Sequence, residues 1–177
     1  MSGSGRAVIS VAISGPAGGI SLCGRANVAC SVVFKSVVEH LRSERIDQIY
    51  LYLGSCLLMD STFLGVLAQQ GVAISEEGSG AAGCIVLVTP SERVLDLIEN
   101  LGVLESFRVD DMNPDIDFSF KEVAMDSESD LHELTRTSLE AHRTLINLNE
   151  ENRARFEGVT SLLEKELEEP QKGDRSS

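Results

Sequence analysis

The sequence predicts an α/β domain with helices packed on a sheet, followed by a long C-terminal helix. Between about residues 7 and 110, strand-like and helix-like segments alternate. Two short runs in that region, Ile46–Leu53 and Cys84–Val88, are apolar at most positions, as central strands covered on both faces are. From about Glu128 the apolar period becomes that of a single extended helix.

Taken in order, Ala7–Ser14 carries the apolar residues Val8, Ile9, Val11 and Ile13, near alternation, and reads as a strand. Gly15-Pro16-Ala17-Gly18-Gly19 is a turn, and Ile20–Cys23 a second short strand that closes a hairpin. Gly24-Arg25-Ala26-Asn27 is expected to break it. From Ser31 to Arg42, Val33, Phe34, Val37, Val38 and Leu41 follow helical spacing. Ile46–Leu53 is the next strand. Ser61–Ile74 carries Leu64, Val66, Leu67, Ala68 and Val72 with few charges, so it predicts a helix buried on most sides. Glu76–Gly83 is a flexible connector to the strand Cys84–Val88, which Thr89-Pro90 stops. Ser91–Gly102 has an N-cap serine, an apolar face of Leu95, Ile98 and Leu101, and a closing glycine. A last short strand is expected at Ser106–Val109. The order is β-β-α-β-α-β-α-β.

Residues 111–127 read as an acidic linker in which Ile116, Phe118 and Phe120 can lie on the domain. Over 128–169, Leu131, Leu134, Ser138, Ala141, Leu145, Leu148, Asn152, Arg155, Val159, Leu162 and Glu166 trace a heptad seam. Phe156 and Leu163 fall one residue beyond its later positions, so the stripe drifts there. A helix of that length with one bare apolar stripe needs a partner, a second copy or its own domain. Leu134, Leu145, Leu148, Val159 and Leu162 are the expected contacts of a homodimer or partner helix. Residues 170–177 read as a disordered tail.

Composition narrows the function. The 177 residues carry a formal charge of −13. Residues 110–177 hold 8 Lys+Arg against 18 Asp+Glu, so the acidity sits in the C-terminal third. Such a surface repels a phosphate backbone, and nucleic-acid binding is not expected. No apolar run approaches the roughly 20 residues of a membrane span. No export signal follows Met1, which makes the cytoplasm the expected location. The four cysteines form no C-x-x-C pair, and none of the three histidines stands at metal-ligand spacing to them. Buried free thiols are the simpler reading, and neither metal nor cofactor is expected. No phosphate-binding G-x-x-x-x-G-K-[ST] and no G-x-S-x-G nucleophile element occurs, so an enzyme is not expected.

The most specific segment is Ile49–Leu67: a strand, then Met59-Asp60-Ser61-Thr62, then the apolar helix. Asp and Ser before a helix are ordinary caps. The same position also presents a hydroxyl where backbone N–H groups lack partners and the helix dipole is positive. The segment resembles the phosphorylatable loop of the STAS domain, in the anti-sigma factor antagonist type. Met59-Asp60-Ser61-Thr62 and Leu64-Gly65-Val66 match that signature, and Phe63 replaces a glycine. Val86–Ser91, Val94–Leu97 and Leu101-Gly102-Val103 resemble the third-helix region of the same family, and the likeness covers about residues 7–110.

The resemblance implies a mixed sheet with helices packed on it over residues 1–110. It also implies a phospho-acceptor at Ser61, with Thr62 second, and a docking turn of Asp60, Thr62, Phe63 and Leu64. The partners it implies are an anti-sigma factor that is also a serine kinase, and a phosphatase. Phosphorylation would add close to two negative charges and release the partner. Phe63 has two outcomes, burial or service as a surface anchor. Two other readings are a non-phosphorylated STAS scaffold and a coiled-coil assembly protein in a signalling complex.

Overall fold

The computed structural model describes residues 5–46, 48–77, 84–125 and 130–169. The expected tail at 170–177, most of the connector and the helix start at Glu128 lie outside these residues. Val8–Ser14 (β1) and Ala17–Ala26 (β2) pair antiparallel, from Val8 against Cys23 to Ser14 against Ala17. The break expected at Gly24–Asn27 is instead a bend within β2. The register shifts between Gly24 and Arg25, and the strand goes on to pair with Cys56–Met59 (β4). Gly24 has φ 82°, and a Cβ there would strike the Arg6 carbonyl, so glycine makes the bend possible.

Gln48–Tyr52 (β3), Cys84–Val88 (β5) and Arg108–Asp110 (β6) add in parallel. A two-residue strand, Lys121–Glu122 (β7), pairs with the free edge of β1. The sheet order is β6-β5-β3-β2-β1-β7, with β4 beside the far end of β2. This is the mixed sheet of an α/β fold, with helices packed on it and a helical C-terminal region. Val28–Ser43 (α1) starts at Asn27, whose side chain accepts from Cys30 N at 3.1 Å. Glu92–Asn100 (α3) starts at the expected serine cap, Ser91. Ser61–Glu77 (α2) is buried on most sides, as its scarcity of charge predicted.

One sheet face meets the helices. Ile49 and Leu51 of β3 and Leu53 just after it are fully buried there, with Phe34, Leu41 and Leu67 from the helices. Tyr50 and Tyr52 point to the other face, because side chains alternate along a strand. Phe118 and Phe120 of the acidic segment cover them, with ring centroids 5.4–6.1 Å from the tyrosines. The linker thus lays its aromatics on the domain and supplies the edge strand β7.

The C-terminal region is not the single helix expected over 128–169. Leu131–Leu148 (α4) and Glu150–Glu168 (α5) are separated by Asn149, whose backbone is extended at φ −163° and ψ 164°. The Asn149 side chain accepts from Asn152 N at 2.8 Å and caps α5, and Glu150 and Glu151 complement its dipole. The two helices fold against each other, and Arg143 of α4 pairs with Glu164 of α5 at 2.6 Å. The apolar stripe is therefore largely satisfied inside the chain. Leu145 is fully buried in the domain core, while Leu134 and Leu148 are half-buried. Val159 and Leu162 are exposed, at 40% and 67%, because the drift at Phe156 turns Asn152, Phe156 and Thr160 inward instead.

Candidate functional site

The site is the junction of β4 and α2. The backbone N–H of Asp60 donates to Ala26 O at 3.0 Å, which ties the cap of α2 to the end of β2. Asp60 Oδ1 accepts from Phe63 N at 2.8 Å. Ser61 is the first helical residue and is half-buried. Its Oγ lies 2.8 Å from Nε2 of His142, on α4. His142 Nδ1 lies 2.7 Å from the Ser138 carbonyl. A carbonyl only accepts, so Nδ1 carries the proton, Nε2 accepts, and the Ser61 hydroxyl donates. Next to this pair, Thr62 Oγ1 and Ser138 Oγ are 3.0 Å apart, and about two turns further Gln69 Nε2 donates to Thr144 Oγ1 at 3.0 Å.

Electrostatics match the burial. Burial holds the Asp60 carboxyl above its usual range, against the backbone donor of Phe63 and the nearby His142. Burial lowers the His142 pKa below the usual imidazole value, against the Ser138 carbonyl and Asp60. His142 is thereby held neutral, with one nitrogen free to accept. An open cavity of about 500 Å³ adjoins the pair, lined by Ser61, Leu64, Leu97, Arg155 and Phe156 among others.

A serine donating to a neutral histidine is one half of a nucleophilic centre. The other half is a set of N–H donors for a developing oxyanion. At this helix start the Phe63 N–H is committed to Asp60, and the carboxylate would repel an oxyanion. The arrangement functions as a contact between two helices, with its polar groups satisfied.

The docking turn is brought together only in part. Phe63 is fully buried and packs on Phe34 with ring centroids 5.1 Å apart. Leu64 is 2% and Thr62 6% exposed. These three are not surface anchors: α1 lies over Phe63, and α4 meets Thr62. Asp60 and Ser61 alone keep partial access. Among the seam residues, Leu145 is likewise unavailable to a second chain, because it is enclosed by its own core. Sequence reasoning missed His142 and Ser138 as partners of the loop. The available signal was small residues, Ser138 and Ala141, at seam positions, together with Gly65 in the middle of a helix.

Other chemistry is sparse. All four cysteines are free, and burial pushes the thiols of Cys30 and Cys56 up to about 12 and about 11. No cluster among the described residues could hold a metal ion, and no helix among them is long and apolar enough to cross a membrane. Gly78-Ser79-Gly80-Ala81-Ala82-Gly83, outside the described residues, has the letters of G-x-G-x-x-G. It lies between a helix and the following strand, the reverse of the strand-to-helix setting that a dinucleotide fingerprint needs.

No family model matches the chain, and no curated protein matches it. Among solved structures it is similar to a "putative anti-sigma factor antagonist" from Thermotoga maritima, at 22% identity and a TM-score of 0.49, covering 59% of this chain and 86% of that chain.

Proposed function

We propose that this chain is a regulatory binding protein of the anti-sigma factor antagonist type, working by partner switching, with Ser61 as the residue that carries the phosphate. One observation carries the reading: Met59-Asp60-Ser61-Thr62 passes from the end of a strand into the first turn of a helix, with Ser61 half-buried at that turn. A hydroxyl there is set at the positive end of the helix dipole, which favours a negative charge. The order of strands and helices over residues 8–110 supports the same reading. The partner is an anti-sigma factor that is also a serine kinase, and a phosphatase reverses the mark. Nucleoside triphosphate and its metal belong to the kinase. Thr62 is the weaker acceptor, being nearly buried.

Intact-mass and peptide mass spectrometry of the protein from its native cells tests this, with Ser61→Ala alongside. A phosphate on Ser61, absent from the variant, is the expected result. A bare Ser61 across growth and stress conditions would overturn it.

A second reading, an unphosphorylated STAS scaffold, is favoured by one specific observation. The Ser61 hydroxyl is already engaged by His142, and Phe63 and Leu64 are buried. In that reading the chain binds constitutively through other surfaces.

A further inference from the structure

We propose that the α4–α5 hairpin is an internal occupant of the Ser61 face, and that a docked hairpin and a phosphate on Ser61 exclude each other. The proposal rests on the reading of Ser61 as the modified residue and adds what controls access to it.

The hairpin meets α2 through small and polar groups. Ser61 donates to His142, Thr62 meets Ser138, and Gln69 donates to Thr144. Between them α4 presses on Gly65, where a Cβ would lie 2.7 Å from the Ala141 Cβ and overlap the Ala141 carbonyl. Nothing larger than glycine fits beneath α4 at that point. A single glycine in the middle of a helix is otherwise unfavourable relative to alanine.

A phosphate does not fit this arrangement. Phosphorylation joins Ser61 Oγ to the γ-phosphorus of a nucleoside triphosphate. The bond to the diphosphate breaks, and the hydroxyl proton passes to the kinase's base. The bridging Oγ of the product has no proton to donate to His142 Nε2, and a phosphate held in the hydroxyl's present direction would overlap the His142 ring, whose Nε2 lies 2.8 Å away. His142 is itself 5% exposed, and its ring packs on Phe156 at 5.2 Å, so it cannot swing aside while α5 stays in place. Asp60, next in sequence, adds like-charge repulsion. Arg155 reaches the adjoining cavity, but it pairs with Glu151 at 3.0 Å. With the hairpin released, the same phosphate sits in water at a helix N-terminus, where negative charge is favoured.

The phosphate therefore distinguishes the docked from the released state, which is the condition for coupling. At equilibrium coupling is reciprocal: the docked hairpin disfavours the phosphorylated form by the factor by which the phosphate weakens docking. A partner that holds the hairpin open would promote the mark.

The test is hydrogen exchange on the full chain with phosphoserine installed at position 61 during synthesis, which needs no kinase. Gly65→Val serves as the reference for a displaced hairpin. Amides of α4 and α5 are expected to exchange at least tenfold faster than in the unmodified chain, with β1, β3 and β5 amides unchanged within twofold. Hairpin protection that is kept or raised would overturn the proposal, because the docked state would then accept the phosphate. Loss of protection in hairpin and sheet together would overturn it too, since the hairpin would not be separable. A bare Ser61 in native cells is a different result, and it would end the phosphorylation reading without altering the exchange data.

Discussion

Gly65 of α2 and Ala141 of α4 are in backbone-level contact, and a side chain at position 65 would overlap the Ala141 carbonyl. The contact explains why an otherwise strongly apolar helix has a glycine at its most crowded crossing. Gly65→Ala combines two opposed terms. Helix propensity improves by about 1 kcal/mol, while overpacking against α4 costs about 1–3 kcal/mol. Net destabilisation of roughly 0–2 kcal/mol is expected by urea denaturation. Gly65→Val, bulkier and β-branched, should lose clearly more. Equal stability of wild type and Gly65→Val would mean that α4 does not press on α2 in solution.

Asn152 makes the opposite kind of contact. It is fully buried, and its Nδ2 donates to Leu101 O at 2.8 Å and to Leu145 O at 2.9 Å. The first bond ties α5 to the end of α3, and the second ties it to α4. Asn152→Ala leaves two carbonyls without that donor, with an expected loss of about 2–6 kcal/mol at about 1–3 kcal/mol for each unsatisfied group. Asn152→Asp should be at least as damaging, because a carboxylate offers no N–H and brings a buried charge. A midpoint for either variant within error of wild type would remove Asn152 from the list of hairpin anchors.

His142 makes stability depend on pH in a direction that can be worked out. Its folded pKa lies below the ordinary value of about 6.5, chiefly because it is buried. Below that value the unfolded chain takes up a proton that the folded chain resists. Stability from this group is therefore fully present above about pH 6.5 and falls as acid carries the pH down through the folded pKa. Asp60 runs the other way, since its raised pKa means the folded chain gains its proton first, but only at lower pH. Between pH 7.5 and 5.5 the wild type should lose stability more steeply than His142→Gln. Parallel curves for the two proteins would show that His142 is not buried neutral.

Apart from β4, which the expected order lacks, the strand and helix order over residues 8–110 was readable from apolar periodicity, because Ile49, Leu51, Leu53 and the run Ile85–Val88 are buried by the layers that their patterns imply. The caps at Ser91 and Asp60 were readable for the same local reason. The C-terminal break was not. Leu148 and Leu145 continue a helical stripe, and the stop at Asn149 is written in the cap chemistry of Asn149-Glu150-Glu151, which a heptad count ignores. The partner of Ser61 was equally out of reach, since His142 is 81 residues away and three strands and a helix lie between α2 and α4. The sequence leaves Phe63 open between core and surface; burial against Phe34 decides it, and no spacing rule predicts that pairing.

The Ser61 hydroxyl itself offers a direct reading of the docked state. In Ser61→Ala the Nε2 of the buried His142 loses its donor, and roughly 1 kcal/mol should be lost. A fully solvated loop serine would give no measurable change on the same substitution. Ser61→Ala with unaltered stability would therefore place the hydroxyl in water and the hairpin elsewhere.

The C-terminal leucines separate a folded-back hairpin from an intermolecular coiled coil. In a two-chain seam, Leu145, Val159 and Leu162 all line the interface, and an aspartate at any of them weakens association to a similar degree. In the folded-back arrangement they are not equivalent. Leu145 is enclosed by the domain, whereas Leu162 is 67% exposed on the outer side of α5. Leu145→Asp replaces a core side chain with a charge that has no partner and should cost several kcal/mol, enough to unfold a domain of ordinary stability. Leu162→Asp should stay within about 0.5 kcal/mol of wild type, as surface substitutions do. Light scattering supplies the second axis. If the wild type is larger than a monomer and Leu162→Asp returns it to one, the outer face of α5 is an interface in addition to the hairpin. If both have the same mass, the hairpin accounts for the whole apolar stripe.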